Sequence, residues 1–218
     1  HDDWRKVLAR VLAVFFCCTL LISSMTGGNM FQSWNVGEIL NIYFGVPQLL
    51  QKYSDAIFHI KVVDCKEDHN GKKGDHCGSG FAMRYFDTSG EHIYAITNKH
   101  VIKPGVCELT EILNGSGASI EFREPIYSNK YDLCAVELVL PSTNSIVPFS
   151  AFPNSYVLER IVVIGFPNIS RVCNPVQLIQ SGEINGFTDT YDGEKLMIMS
   201  APVAPGSSGG PVLNSLGL

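Results

Sequence analysis

From residue 56 to residue 218 no stretch of useful length keeps its apolar side chains on a helical period. Short β-rich runs take their place, at residues 56–63, 78–85, 93–102, 118–123, 133–140, 160–165, 176–183 and 196–200. They are separated by clusters of Gly, Pro, Asn and Ser, the residues that turn a chain. Residues 141–153, rich in Pro, Ser, Thr and Asn, divide these runs into two groups. The prediction is an all-β fold. With 218 residues, 45% hydrophobic and 17% charged, the chain is long enough and apolar enough for one such domain behind an N-terminal extension. A formal net charge of −5 and the lack of a basic run argue against nucleic acid as the main partner.

Near the end stands Ala204-Pro205-Gly206-Ser207-Ser208-Gly209-Gly210-Pro211. Such composition is most often a plain turn. Yet glycines on both sides of a serine also let backbone N–H groups converge on one small space, as an oxyanion hole requires. The serine between them can act as a nucleophile if a base and an orienting group lie elsewhere. His100 closes the run Ile93-Tyr94-Ala95-Ile96-Thr97-Asn98-Lys99-His100, which reads as a strand ending in a histidine. Asp132 stands just before the apolar run 133–140. The other histidines are poorer bases: His69 and His76 sit in a charged loop, His92 precedes the His100 strand, and nothing around His59 supplies a partner.

With these residues in view, the chain resembles the chymotrypsin-like serine proteases, and most of all the bacterial trypsin-like branch that includes the HtrA (Deg) proteases. Gly78-Ser79-Gly80-Phe81 and Ile164-Gly165-Phe166-Pro167 belong to the same resemblance, which runs from about residue 56 to the end. The order His, Asp, Ser is that family's order. The resemblance implies two six-stranded antiparallel barrels, the first carrying His100 and Asp132 at one rim, with the second incomplete at the C-terminus. It implies a serine endopeptidase acting on protein or peptide substrates without a cofactor or metal. Ser208 is then the nucleophile, His100 the base, Asp132 its orienter, and the amides of Gly206 and Ser208 the oxyanion hole.

Three departures qualify the resemblance. Ser207 stands where digestive members carry an aspartate that pairs with a freed N-terminus, so that zymogen switch is not expected. Pro202 stands where trypsin-like specificity uses an acidic residue, so a preference for Lys or Arg is not expected by that route. Residues 211–218 begin a further strand pair and stop, whereas the family closes its second barrel with later strands. A fragment of a longer protein is the expectation. A non-catalytic, protease-like binding or chaperone module is the alternative function. A serine esterase fits less well, because its serine usually precedes its histidine.

Arg5, Lys6 and Arg10 precede the apolar run 11–22, the pattern of a secretory signal peptide spanning residues 1–28. A membrane anchor through residues 11–28 is the competing reading, though Ser23, Ser24, Gly27 and Gly28 dilute a span that needs about 20 apolar residues. Both readings put the protease domain, residues 56–218, outside the cytoplasm: secreted, periplasmic or held at the cell envelope. Residues 29–55 form a lead-in without assignable chemistry. Cys65 and Cys77 flank a charged hairpin loop, and a disulfide between them is expected in an oxidising compartment. A zinc site of Cys65, His69, His76 and Cys77 has the wrong ligand spacing and is set aside.

Overall fold

Strand β1 (Ile57–Val63) is buried on both faces, apart from Lys61 and Val63. Such a strand cannot lie on a sheet with one wet face, and the computed structural model shows why it does not. The structure describes residues 52–63, 76–141, 146–151, 154–169, 174–191 and 193–214. The chain divides into two units, His1–Gln48 and Leu49–Leu218, and all described residues belong to the second. The signal-peptide and anchor readings, and most of the lead-in, therefore lie outside the described residues. Among the described residues no helix is long and apolar enough to cross a membrane.

The domain is nearly all β. Strands β1, β2 (His76–Asp87), β3 (Gly90–Thr97), β4 (Glu108–Leu113), β5 (Glu121–Tyr127) and β6 (Cys134–Val139) form one antiparallel sheet in the order β4-β1-β2-β3-β6-β5. Its two edges come together where β4 runs into β5: Leu113 bridges Ser119, and the Ile120 N–H donates to the Ile112 carbonyl at 2.9 Å. The sheet is thereby a nearly closed barrel. A second sheet has the order β10-β7-β8-β9, from β7 (Arg160–Gly165), β8 (Leu178–Asp189), β9 (Lys195–Met199) and β10 (Val212–Asn214).

Alternation along β1 explains its double burial. Phe58, Ile60 and Val62 point one way, and Ile57 and His59 the other. The His59 ring meets the edge of Phe166 at 5.5 Å, so its face looks toward the second sheet. One continuous core follows, joining Ile57, Phe58, Ile60 and Val136 of the barrel to Ile164, Phe166 and Leu213. Residues 146–149, within the stretch read as a plain linker, add to it. Phe149 donates its N–H to Ala82 at 2.8 Å and stacks on Tyr53 at 4.5 Å.

Two sequence readings need correction. The run through His100 is not one strand: β3 stops at Thr97, and His100 sits in a four-residue helix, α1 (Lys99–Ile102). Helical winding buries Val101 and Ile102 together while leaving His100 exposed, which strand alternation could not do. Cys77, on β2 opposite Lys61, is a free thiol, so the expected disulfide between it and Cys65 is not formed. Among the described residues Cys107 is the disulfide-bonded cysteine. Its partner lies outside the described residues, since Cys77 and Cys134 are both free. Burial pushes the Cys77 thiol up, and that of Cys134 up to about 11, so neither is a ready nucleophile.

Two expectations test this architecture. Phe58→Ala should destabilise the domain by about 3–5 kcal/mol, read from urea unfolding, because the side chain is fully buried at the heart of the core. His92 joins the β2–β3 turn to β6, and its hydrogen bond to Glu137, aided by Asp87, raises its pKa. A raised folded value gives stability that is complete below the unfolded pKa of about 6.5 and lost as pH rises through the folded value. His92→Gln should therefore flatten the fall in melting temperature that the parent shows across that window.

Candidate active site

His100 and Asp132 come from different ends of the barrel sequence and meet at one rim. Helix α1 follows β3 after Asn98 alone, and only Leu133 separates Asp132 from β6, which pairs with β3 through Thr97 and Cys134. That pairing brings the two loops side by side. Asp132 then holds His100 twice: Oδ1 accepts the backbone N–H at 2.9 Å, and Oδ2 lies 2.6 Å from Nδ1. Asn98 Nδ2 donates to the Asp132 carbonyl at 2.9 Å and fixes the loop from behind. A carboxylate on Nδ1 selects the tautomer that leaves Nε2 free to accept a proton. Both side chains are about half exposed, with 54% and 52% of their area open.

The serine loop packs against the same corner. Ser79 on β2 donates its N–H to the Ser208 carbonyl at 2.8 Å. Gly209, at φ +85°, presses so close that a Cβ there would overlap the Ser79 carbonyl and Thr97 Oγ1 and come within 3.1 Å of the Asn98 nitrogen. Ser208 is thus set beside the segment that leads into His100. Among the described residues no hydrogen bond joins the Ser208 hydroxyl to His100, which leaves both the hydroxyl and Nε2 open to a ligand.

The backbone around Ser208 is pinned by its carbonyls. Asn168 donates to the Pro205 carbonyl at 2.7 Å, and Gly210 to the Ser207 carbonyl at 3.0 Å. Ser207 donates to the Ala204 carbonyl at 3.0 Å. Among the described residues no acceptor takes the N–H of Gly206 or of Ser208. These are the two amides the sequence singled out, and both belong to peptide planes whose carbonyls are held. Gly206, at φ +95°, cannot be replaced without crowding Phe166 O at 2.7 Å and Asn168 N at 2.8 Å. A cavity of about 230 Å³ opens next to this loop, between His59, Lys61 and Cys77 of the first sheet and Phe166, Pro167 and Asn168.

A second serine–histidine–carboxylate chain sits on the barrel surface. Ser89 Oγ lies 2.8 Å from His92 Nε2, and His92 Nδ1 lies 2.8 Å from Glu137. Its chemistry is different. Ser89 gives its proton to Asp87 at 2.6 Å, and the hydrogen bond to Glu137, aided by Asp87, holds His92 toward the charged form. A raised pKa keeps the ring protonated to a higher pH, which works against its taking a proton from a serine. His59 is buried, its Nδ1 has no partner among the described residues, and desolvation lowers its pKa. His76 contacts the Val101 carbonyl through Nε2 at 2.7 Å. Among the described residues no group of three or more His, Cys, Asp or Glu could hold a metal ion, while Cys65 and His69 lie outside them.

Residues 78–218 match the trypsin-like peptidase domain family. The chain belongs to that family. It is similar to "Serine protease Do-like HtrA" of Lactobacillus helveticus, with 21% identity over 89% of this chain and 48% of the relative. The chain thus spans about half the length of the curated relative it matches. As a trypsin-like peptidase domain it is of serine-protease type, in keeping with the barrel and second sheet described above. Sequence reasoning did not identify Ser79, Thr97, Asn98 and Asn168 as supports. Only Ser79 carried a signal, through the Gly78-Ser79-Gly80 motif.

The fit of Gly209 gives a direct test. Gly209→Ala should cost at least about 2 kcal/mol, since the left-handed backbone alone disfavours alanine and its Cβ has no space. Hydrogen exchange should show the Ser79 amide, protected by Ser208 in the parent, losing that protection.

Proposed function

We propose that this domain is a serine endopeptidase in which Ser208, His100 and Asp132 act together on peptide bonds. Ser208 Oγ attacks the carbonyl carbon while His100 Nε2 takes the hydroxyl proton. The negative oxygen of the tetrahedral intermediate sits against the N–H groups of Gly206 and Ser208. His100 then returns the proton to the leaving amine, and water repeats the sequence to free the acyl group. Asp132 holds the imidazole in the working tautomer and stabilises it once charged. The observation that carries the reading is the contrast between the two histidine–carboxylate pairs. His100 has an Nε2 without a partner among the described residues and follows the segment against which the loop of the uncommitted Gly206 and Ser208 amides packs, whereas His92 has both nitrogens engaged.

The substrates are protein or peptide chains, and no cofactor or metal takes part. Ser207 and Pro202 support the absence of an N-terminal zymogen switch and of a Lys/Arg preference set by an acidic residue. A location outside the cytoplasm, either secreted or held at the cell envelope, is supported by the basic and apolar N-terminus and by the disulfide at Cys107. The second reading is a non-catalytic binding module. The lack of a Ser208–His100 hydrogen bond favours it, although such bonds often tighten only around a substrate.

A fluorophosphonate probe separates the two, since it reacts only with an activated serine. The expected result is labelling at Ser208, lost in Ser208→Ala and His100→Ala. In casein hydrolysis each of these variants should lose most activity, and the double variant should be little worse than either. Asp132→Asn should lower kcat by roughly 10⁴. Full activity in Ser208→Ala would point to another nucleophile.

A further inference from the structure

Ser79 is fully buried, and each of its polar groups is engaged. Its hydroxyl donates to the Gly206 carbonyl at 2.7 Å and accepts the Phe166 N–H at 2.8 Å. Its N–H donates to the Ser208 carbonyl at 2.8 Å, and its own carbonyl accepts from Thr97 Oγ1 at 2.7 Å. Four hydrogen bonds thus tie one residue of β2 to the serine loop, the end of β7 and the end of β3. A solvated serine on a strand could not play this part, because its hydroxyl would exchange partners with water. Here the hydroxyl is dry and has two fixed partners.

The consequence lies in the peptide plane between Gly206 and Ser207. Ser79 holds its carbonyl, and the Ala204 carbonyl holds its N–H at 3.0 Å. That plane separates the two uncommitted amides, those of Gly206 and Ser208. Turning it would swing both donors away from a common point. Gly206, at φ +95°, supplies a backbone free to turn in this way, so something outside the loop must stop it. The Ser79 hydroxyl reaches the loop because residue 165 has no side chain, since a Cβ on Gly165 would lie only 2.8 Å from it.

We propose that Ser79 is a positioning residue for the oxyanion hole, acting through the Gly206 carbonyl to hold the Gly206 and Ser208 amides in convergence. This rests on the reading of Ser208 as the nucleophile. Ser79 touches no reacting atom, so it sets how well the transition state is held and leaves ground-state binding of the peptide unchanged. Ile112 is the internal control, because it is fully buried in the barrel core on β4, a strand that carries none of the site residues.

The test compares Ser79→Ala and Ile112→Val with the parent in the full chain, using an internally quenched casein-derived peptide and thermal melting. Loss of one oxyanion donor lowers turnover by about 10²–10³-fold, so Ser79→Ala is expected to lose about 10²-fold or more in kcat with KM within about twofold. Ile112→Val is expected to keep kcat within about threefold, even where its melting temperature falls as far. If Ser79→Ala does not fold, Ser79→Cys replaces it. The thiol donates weakly, and a kcat loss of about tenfold with KM unchanged is expected. Parent-like kcat in the folded Ser79 variant, or an equal loss in Ile112→Val, overturns the inference. Fluorophosphonate labelling of the parent keeps the two readings apart. A labelled parent with an unimpaired Ser79 variant refutes the role of Ser79 alone, whereas an unlabelled parent refutes the Ser208 reading and this inference with it.

Discussion

The hydrogen bond from the Ser79 N–H to the Ser208 carbonyl joins a strand of the barrel to the loop between β9 and β10 of the second sheet. Much of the site's geometry follows from it. The bond requires the two backbones to approach closely, and the glycine at 209 allows this because no Cβ intervenes. Close approach in turn presses the serine loop against Thr97 and Asn98, the two residues that lead into the His100 helix. The apolar contribution is non-directional: Ile57, Phe58, Ile164, Phe166 and Leu213 bring the two sheets together without fixing their register. The hydrogen bonds supply the register.

The two histidine–carboxylate pairs show why residue types alone do not define a site. His92 and His100 each place Nδ1 within 2.8 Å of a carboxylate oxygen, and His92 also meets a serine hydroxyl at 2.8 Å. At His92 a second carboxylate, Asp87, takes the serine's proton and lies 3.3 Å from the other ring nitrogen. The result is a pinned turn that favours the charged imidazole. At His100 one carboxylate serves the ring and the backbone N–H of the same residue, which leaves Nε2 unengaged. Similar groups thus have different chemistry because of which atoms remain without a partner.

Some features could be read from the chain because they are local. Glycine on both sides of Ser208, Asp132 ahead of an apolar run, and the absence of helical periodicity all survive translation into structure. Others failed where local patterns conflict with context. Residues 99–102 continue an apolar run, so they read as strand, yet a single helical turn is what buries Val101 and Ile102 while leaving His100 in solvent. Residues 146–149 have linker composition, but Phe149 finds a place beside Ala82 and Tyr53 that no local pattern announces. Strand β4 is half exposed and does not stand out in the sequence, because alternation over six residues is a weak signal beside the longer apolar runs.

The sequence by itself determined the class of fold, and it supplied the order His, Asp, Ser on which the proposed site rests. Strand periodicity and turn glycines are short-range, and each can be recognised without knowing what it packs against. Tertiary structure decided which groups are joined and which remain open. It paired Asp132 with both the backbone and the ring of His100, left the Gly206 and Ser208 amides uncommitted, and gave Cys107 rather than Cys77 a disulfide. It also made a central tie of Ser79, a residue whose hydroxyl finds its two partners 87 and 127 positions away in the chain. Such contacts arise only when sheets distant in sequence meet, so no window of the sequence contains them.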